Sequence, residues 1–506
     1  MSNDNIEKNE IQELFPRDSG KSPGNKIHGN ATQKRKAVVS YTSYIVHFCK
    51  WKVTRLRRML KKIIVAVCLL GASLVLSGCV IKTAAEELYS LPQLPAEYTE
   101  LQETLQQLLQ DGAEYAAPVS GTNTQPVQMV DLNGDGQDEA LAFFRKSADE
   151  KPLKIYIFSR DGKSYQQTAV IEGSGTSIYS IAYSDLNQDG HMELIVGWKV
   201  STDLQALSVY ALGGPEPVEL MRTPYVKYTL ADLDQDQKQE IVVFRADGEG
   251  SGIAEYYRWQ SGALNIGSSA IISMTMAELS NQGRVKGGTL ADHTPALFVT
   301  GVSDSSVAIT DILAIRSGEL TNITLSSVTG MSGALARYFS LYPMDINNDG
   351  VTEIPMPVRI PTRDNDGGSS VSNRIDWYQY SPDGTGRKVE STYHDMDDGW
   401  YLELPDAWKG KLLVTRSQSG MDEISVTFAL QENSGKAQDF LRIYTITGES
   451  PEYKIRGNRF LLSRQAETVF AAEILGDDQE QAGGLTKDDL RASFHLITTE
   501  WLPGDN

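Results

Sequence analysis

Cysteine is scarce in this 506-residue chain: Cys49, Cys68 and Cys79 are the only three, and none follows residue 79. No disulfide can staple the region beyond that point, and no thiol is available there as a nucleophile. Histidine is nearly as sparse. The four beyond residue 79, His191, His293, His394 and His495, stand singly, without the spacing of a metalloprotease helix. Gly330-Met331-Ser332-Gly333 lacks the pattern of a nucleophile elbow. Gly248-Glu249-Gly250-Ser251-Gly252 follows a strand pattern but opens no helix, so it reads as a flexible turn rather than a phosphate loop. With no catalytic motif found, the expectation is a protein that is not an enzyme. The abundance of carboxylates leaves a carboxylate-based hydrolase open as the alternative.

Long apolar runs and basic charge are also in short supply. The longest apolar stretch, Ile63 to Leu76, has 14 residues, short for a spanning helix. Residues 1–78 hold 14 Lys+Arg against 5 Asp+Glu, which leaves 33 against 61, a net −28, for residues 79–506. A region that acidic repels phosphate backbones, so no nucleic-acid partner is expected; it suits cations. Hydrophobic content of 40% with 22% charged residues is ordinary for a globular chain. The length calls for two or three domains.

The basic residues gather before the apolar run: Arg55, Arg57, Arg58, Lys61 and Lys62. Charged region, short apolar core and small residues at Ser77-Gly78-Cys79 together describe a secretory signal. Leu76-Ser77-Gly78-Cys79 resembles the lipobox of bacterial lipoproteins. That resemblance implies acylation of Cys79, which would become the mature N-terminus. It also implies lipid anchoring on the extracytoplasmic face of the cell membrane, stable with two or three chains. An uncleaved signal anchor is the alternative and leaves the bulk of the chain equally outside the cytoplasm. Met59 to Gly78 makes a 20-residue signal of normal length. Met59 is therefore the expected start, and the polar, disordered residues 1–58 are read as a misassigned upstream extension, an unusually long n-region being the other reading. Residues 79–117 are a tether, with one helical turn around Ala84–Tyr89, then an amphipathic helix. Pro95 suits its first position, Leu101, Leu105, Leu108 and Leu109 form its stripe, and Gly112 stops it. The helix is expected to run about four turns and to pack on the next domain.

What the chain has in plenty is one recurring pattern. Asp131-Leu132-Asn133-Gly134-Asp135-Gly136-Gln137-Asp138-Glu139 precedes the apolar Ala140–Phe144. The pattern returns at Asp185–Glu193, Asp232–Glu240 and Asp345–Glu353, each copy running into a short apolar segment. The last gap is about twice the others, which places a degenerate copy at Leu290-Ala291-Asp292-His293, with the leading Asp and a following strand but no other ligands. Five units of about 50 residues mean stacked supersecondary elements. Within a unit the reading is strand, acidic loop, strand, turn, strand, turn, strand: Val127–Val130, Ala140–Phe144, Leu153–Phe158, then the hairpin signal Arg160-Asp161-Gly162-Lys163, then Tyr165–Ile171. Four short antiparallel strands per repeat describe a propeller blade.

Oxygens at positions 1, 3 and 5, Gly at 6 and a carbonyl at 7 form the start of a calcium loop. An EF-hand would place its bidentate Glu at position 12 between helices. Here position 12 is Ala142, Val196, Val243 or Met356, the acid stands at position 9, and strands flank the loop, so an EF-hand is rejected. The arrangement, over roughly residues 118–395, resembles the FG-GAP/VCBS repeats of integrin-type β-propellers, whose blade loops bind Ca²⁺. That resemblance implies structural Ca²⁺ and four ligand sets. They are Asp131, Asn133, Asp135, Gln137 and Glu139; Asp185, Asn187, Asp189, His191 and Glu193; Asp232, Asp234, Asp236, Lys238 and Glu240; and Asp345, Asn347, Asp349, Val351 and Glu353. Gln137, His191, Lys238 and Val351 would serve through backbone carbonyls. The third set departs from the pattern, with Gln237 in place of Gly; Asp292 alone is expected to bind nothing.

Residues 396–506 read as a small α+β domain. Its strands are Trp400–Leu404, Leu412–Arg416, Ile424–Leu430, Phe440–Ile446, Phe460–Leu462 and Thr468–Ile474, followed by a helix that Thr486 and Asp489 begin as a capping box. Its opening, Trp400 to Gly410, faintly resembles extracytoplasmic PsbP-like domains; Trp400 and Trp408 are expected in packing rather than as ligand contacts. The expectation is a mainly β protein: a propeller of four-stranded blades with an N-terminal helix and a C-terminal α+β domain. Its expected role is that of a monomeric, lipid-anchored, calcium-stabilised scaffold at the cell surface, binding a protein or glycan. A polysaccharide-active hydrolase or lyase, and a structural envelope protein, are the alternatives.

Overall fold

The computed structural model describes residues 98–497 apart from 162–163, 338–340, 361–371, 433–434 and 477–480. The secretory signal, Cys79, the helical turn around Ala84–Tyr89 and Pro95 lie outside the described residues. Among the described residues no helix is long and apolar enough to cross a membrane.

The fold is mainly β and is built from antiparallel meanders. The first sheet comprises Val127–Val130, Glu139–Arg145, Leu153–Asp161 and Ser164–Gly173, with the short Glu114–Tyr115 also on the edge of Glu139–Arg145. The second is Ser177–Ser184, Glu193–Lys199, Gln205–Ala211 and Val218–Tyr225. The third is Lys227–Ala231, Glu240–Ala246, Gly252–Gln260 and Ala263–Ile271. The fourth is Arg284–Thr289, Pro295–Val302, Ala308–Arg316 and Glu319–Asn322. The degenerate repeat therefore builds a complete four-stranded sheet. Its acidic loop has shrunk to a turn in which Asp292 accepts the Thr294 amide at 3.0 Å. The fifth sheet is Ile354–Ile360, Ser372–Tyr380, Gly386–Asp395 and Trp400–Glu403, with Phe494–Leu496 on its last edge.

Consecutive sheets pack face to face, and the apolar second strands explain why. In Glu139–Arg145 successive side chains point to opposite faces. Leu141 and Phe143 meet Leu194, Val196 and Trp198 of the second sheet, while Ala140, Ala142 and Phe144 face the other way. The second sheet turns Ile195 and Val209 to Ile241 and Val243 of the third. The third turns Val242 and Phe244 to Leu297 and Val299 of the fourth, and the fourth turns Ala296 and Phe298 to Ile354 of the fifth. A strand covered on both sides has no polar face, hence its unbroken apolar run.

The outer face of the first sheet is covered by helix α1, Thr99–Gln110. Its Leu101 and Leu105 are buried against Ala140, Phe144, Tyr156 and Phe158, as the leucine spacing predicts. Gly112, at φ 84°, ends it, its amide bonded to the Leu109 carbonyl at 3.1 Å. A second helix, α2, Met276–Asn281, sits between the third and fourth sheets' strands and begins with a Thr275–Glu278 capping box.

At the other end the chain passes residue 396 within one sheet, since Trp400–Glu403 pairs with Gly386–Asp395. The sixth sheet runs in the order Leu412–Gln418, Glu423–Gln431, Ala437–Ile446, Val469–Ile474, Arg459–Arg464. It shares a core with the fifth through Tyr393, Trp400, Trp408, Phe428 and Phe494. Both tryptophans are fully buried, in packing roles. Helix α3, Lys487–Ser493, starts with the capping box of Thr486 and Asp489 that the sequence indicates.

Candidate metal centre

The first three acidic loops each join the first strand of a sheet to its second. The last follows the isolated bridge between Met344 and Glu353 and leads into Ile354–Ile360. All four share one internal architecture. The glutamate at position 9 is buried and accepts the amide of position 2: Glu139 from Leu132 at 2.9 Å, Glu193 from Leu186 at 2.8 Å, Glu240 from Leu233 at 3.0 Å, Glu353 from Ile346 at 2.9 Å. The aspartate at position 1 accepts the amide of position 6: Asp131 from Gly136 and Asp185 from Gly190 at 2.9 Å, Asp232 from Gln237 at 3.0 Å, Asp345 from Gly350 at 2.8 Å. Positions 3 and 5 accept the amides two residues on, as in Asn133 from Asp135 at 2.9 Å and Asp135 from Gln137 at 2.8 Å. These Asx turns fold each carboxylate over its own backbone.

Two left-handed residues make that path possible. Position 6 is Gly136, Gly190 or Gly350 at φ 82–88°, and Gln237 adopts the same conformation at φ 71° in the third loop. The departure from Gly thus leaves the loop shape intact. Position 4 is also left-handed: Gly134, Gln188, Gln235 and Asn348 lie at φ 57–72°, a requirement the Asp-x-Asp-x-Asp pattern does not advertise.

Burial and the neighbouring aspartates hold the position-9 glutamates above the ordinary carboxylate range, Glu193 at about 6 and Glu240 and Glu353 at about 7. Like charges in a half-dry pocket disfavour ionisation, and a bound cation would reverse that. In the third loop, oxygens of Asp232, Asp234, Asp236 and Glu240 all lie within 4.8 Å of one another; in the last, Asp345, Asp349 and Glu353 do the same. Asp232 Oδ1 is buried with no hydrogen-bond partner. An all-oxygen set with one orphaned, desolvated carboxylate oxygen fits a hard divalent cation.

Neighbouring loops touch. The Met192 amide donates to the Leu132 carbonyl at 2.8 Å, and Gln188 Nε2 to the Gln237 carbonyl at 2.6 Å, so the first three loops form a row. The Thr352 amide donates to the Thr289 carbonyl at 3.0 Å, tying the last loop to the fourth sheet. Among the described residues the third and last loops gather their carboxylates within 4.8 Å of one another, whereas the first and second do not bring three that close, and Asp292 stands apart from any such set.

Two loop contacts come from neighbouring strands of the same sheets, Ser372–Tyr380 and Gly252–Gln260, and were not legible from the motif. Gln379 Nε2 donates to Asp349 at 2.7 Å and to Glu353 at 2.8 Å, bridging the two carboxylates, and Tyr256 OH donates to Asp234 at 3.3 Å. The one signal in the sequence is Gln379 standing between Tyr378 and Tyr380 at the end of a strand pattern.

The model of the FG-GAP-like repeat matches residues 131–196, which hold the first two loops and the four strands between them. The chain contains FG-GAP-like repeat sequence. No curated protein sequence matches it. Among solved structures, a rhamnogalacturonan lyase of Bacillus licheniformis is similar at 12% identity and a TM-score of 0.26, over 71% of this chain and 91% of that one. That likeness is too distant to bear on activity.

Proposed function

We propose that this protein is a lipid-anchored, extracytoplasmic binding scaffold. Its FG-GAP-like sheets are the blades of a β-propeller held by Ca²⁺ in the acidic loops, and its exposed faces serve a protein or glycan partner. The observation that carries the calcium reading is Asp232 Oδ1, orphaned and buried inside a cluster of four carboxylates. The ligands are the residues at positions 1, 3, 5 and 9 of the four loops, with the carbonyls of Gln137, His191, Lys238 and Val351. The ion supplies positive charge where aspartates and a buried glutamate crowd together, and so staples strand one to strand two in a region with no cysteine. Affinity on the order of 10⁻⁴–10⁻³ M is expected, as for extracellular modules.

Equilibrium dialysis against ⁴⁵Ca²⁺ tests the ions. The full chain should bind several ions, and an Asp232→Asn/Asp236→Asn variant should bind fewer. No binding at millimolar Ca²⁺ would remove the calcium reading. The anchor is tested separately by fractionation: wild type should partition into detergent and carry label from radioactive palmitate, and Cys79→Ser should carry none.

A further inference from the structure

At the strand ends away from the acidic loops, a cavity of about 330 Å³ opens between the second and third sheets. Three buried polar atoms that line it, Ser180 Oγ, Gln205 Oε1 and Tyr225 OH, have no partner at full hydrogen-bond geometry, although the Ser180 hydroxyl lies close enough to Tyr225 and Tyr228 to offset part of the rise that burial gives their pKa values. Tyr225 is 5% exposed. Buried polar groups almost always find partners, so three orphans in one cavity ask for an occupant.

The backbone is arranged to leave that space. The register of Ser177–Ser184 slips between Ile178 and Ser180, so Tyr179 is the extra residue of a bulge. Bulges re-aim side chains beside functional sites. Opposite Ser180 stands Gly197, where a Cβ would lie 2.2 Å from Tyr225 OH and 2.6 Å from Ser180 Oγ. Glycine there is what lets the two hydroxyls share the cavity wall.

Lys227 supplies the charge. It lines the same cavity, and among the described residues no carboxylate lies within ion-pairing distance of it, in a chain rich in acid. Burial, then the charge of Arg284, holds its ammonium below the ordinary lysine range. Tyr179 and Tyr228 also line it. Ser180 and Lys227 lie five residues before Asp185 and Asp232, roughly 16 Å along their strands from the ion loops.

We propose that this cavity binds a hydroxylated carboxylate of monosaccharide size, the chemistry of a uronic acid. The carboxylate meets Lys227 and the Tyr225 hydroxyl, ring hydroxyls donate to Gln205 Oε1 and Ser180, and the apolar sugar face lies on tyrosine. The proposal sharpens the scaffold reading by naming a ligand class. It does not need ions in the loops, so its failure leaves the dialysis experiment untouched.

Titration calorimetry of the full chain in detergent, with D-glucuronate, an oligomer of it, D-glucose and acetate, tests it. Glucuronate or its oligomer should bind at least tenfold more tightly than glucose or acetate. The two arms tell a free sugar acid from a polysaccharide residue. Lys227→Met and Tyr225→Phe should each weaken binding tenfold or more. Lys227→Met should leave the melting temperature unchanged or raise it, because an unpaired, partly buried ammonium is removed. Equal binding of glucose, unchanged binding in both variants, or no binding of either acid form by the folded wild type would overturn the proposal.

Discussion

The Glu240 side chain, almost wholly buried, accepts the Leu233 amide at 3.0 Å and so closes the third acidic loop on itself. Removing that acceptor strands a buried N–H. Glu240→Ala should therefore cost about 1–3 kcal/mol in a denaturant titration. Glu240→Gln keeps an oxygen for Leu233 and removes a charge from among three aspartates. In chelator it should stay within about 1 kcal/mol of wild type, while its stabilisation by added Ca²⁺ shrinks.

The raised glutamates set a pH dependence whose sign can be worked out. Glu240 and Glu353 titrate at about 7 in the ion-free fold and Glu193 at about 6, against an ordinary 4.5. The fold holds more protons than the unfolded chain across that window, so its stability falls as pH rises through it. In chelator, moving from about pH 6.5 to about pH 8 should cost on the order of 1 kcal/mol. Saturating Ca²⁺ should abolish that loss. His394, which burial lowers from 6.5 to about 3, acts in the opposite direction around and below its unfolded value, so it offsets a part of the loss at the acid end of that range. Thermal melts at the two pH values, with and without Ca²⁺, check this.

Gln237 sits at φ 71°, where the other complete loops carry glycine. Its side chain bears part of a left-handed penalty of about 1–2 kcal/mol. Gln237→Gly should stabilise the protein by about 1 kcal/mol or less, since glycine's greater unfolded-state freedom offsets some of the relief. The measurement is a shift in denaturant midpoint with unchanged slope.

Helix α1 is attached by few side chains, of which Leu101 and Leu105 are the deepest. Leu101→Ala or Leu105→Ala should each cost about 2–5 kcal/mol. Leu109, partly exposed at 38%, should tolerate Ala within about 0.5 kcal/mol. Hydrogen exchange should show the loss first at the outer face of the first sheet, on Ala140, Ala142 and Phe144.

Much of this was written locally in the chain. Fixed spacing within nine residues encodes the acidic loops, because each aspartate bonds amides of its own turn. Two-sided burial makes the second strands apolar, and that run marked each sheet, including the fourth, where only Asp292 survives. What escaped the sequence depends on distant partners. Trp400–Glu403 gives no local sign that it joins Gly386–Asp395, nor Phe494–Leu496 that it closes that sheet's edge. Gln379 and Tyr256 reach the loops from other strands of the same sheets, Ser372–Tyr380 and Gly252–Gln260. Ser180, Gln205, Tyr225 and Lys227 meet only because strands of two sheets bring them to one cavity. The α2 helix is six residues long, too short for a periodic signal, although its Thr275–Glu278 capping box was there to be read.

The central claim, that the acidic loops hold Ca²⁺ as a staple, is tested most directly by the melting temperature of the full chain in chelator and then in millimolar Ca²⁺. The account predicts a lower melting temperature in chelator and full recovery on adding Ca²⁺ in excess, since a ligand bound only by the folded state stabilises it. It also predicts that recovery is smaller for the Asp232→Asn/Asp236→Asn variant. An identical melting temperature in both conditions would contradict it.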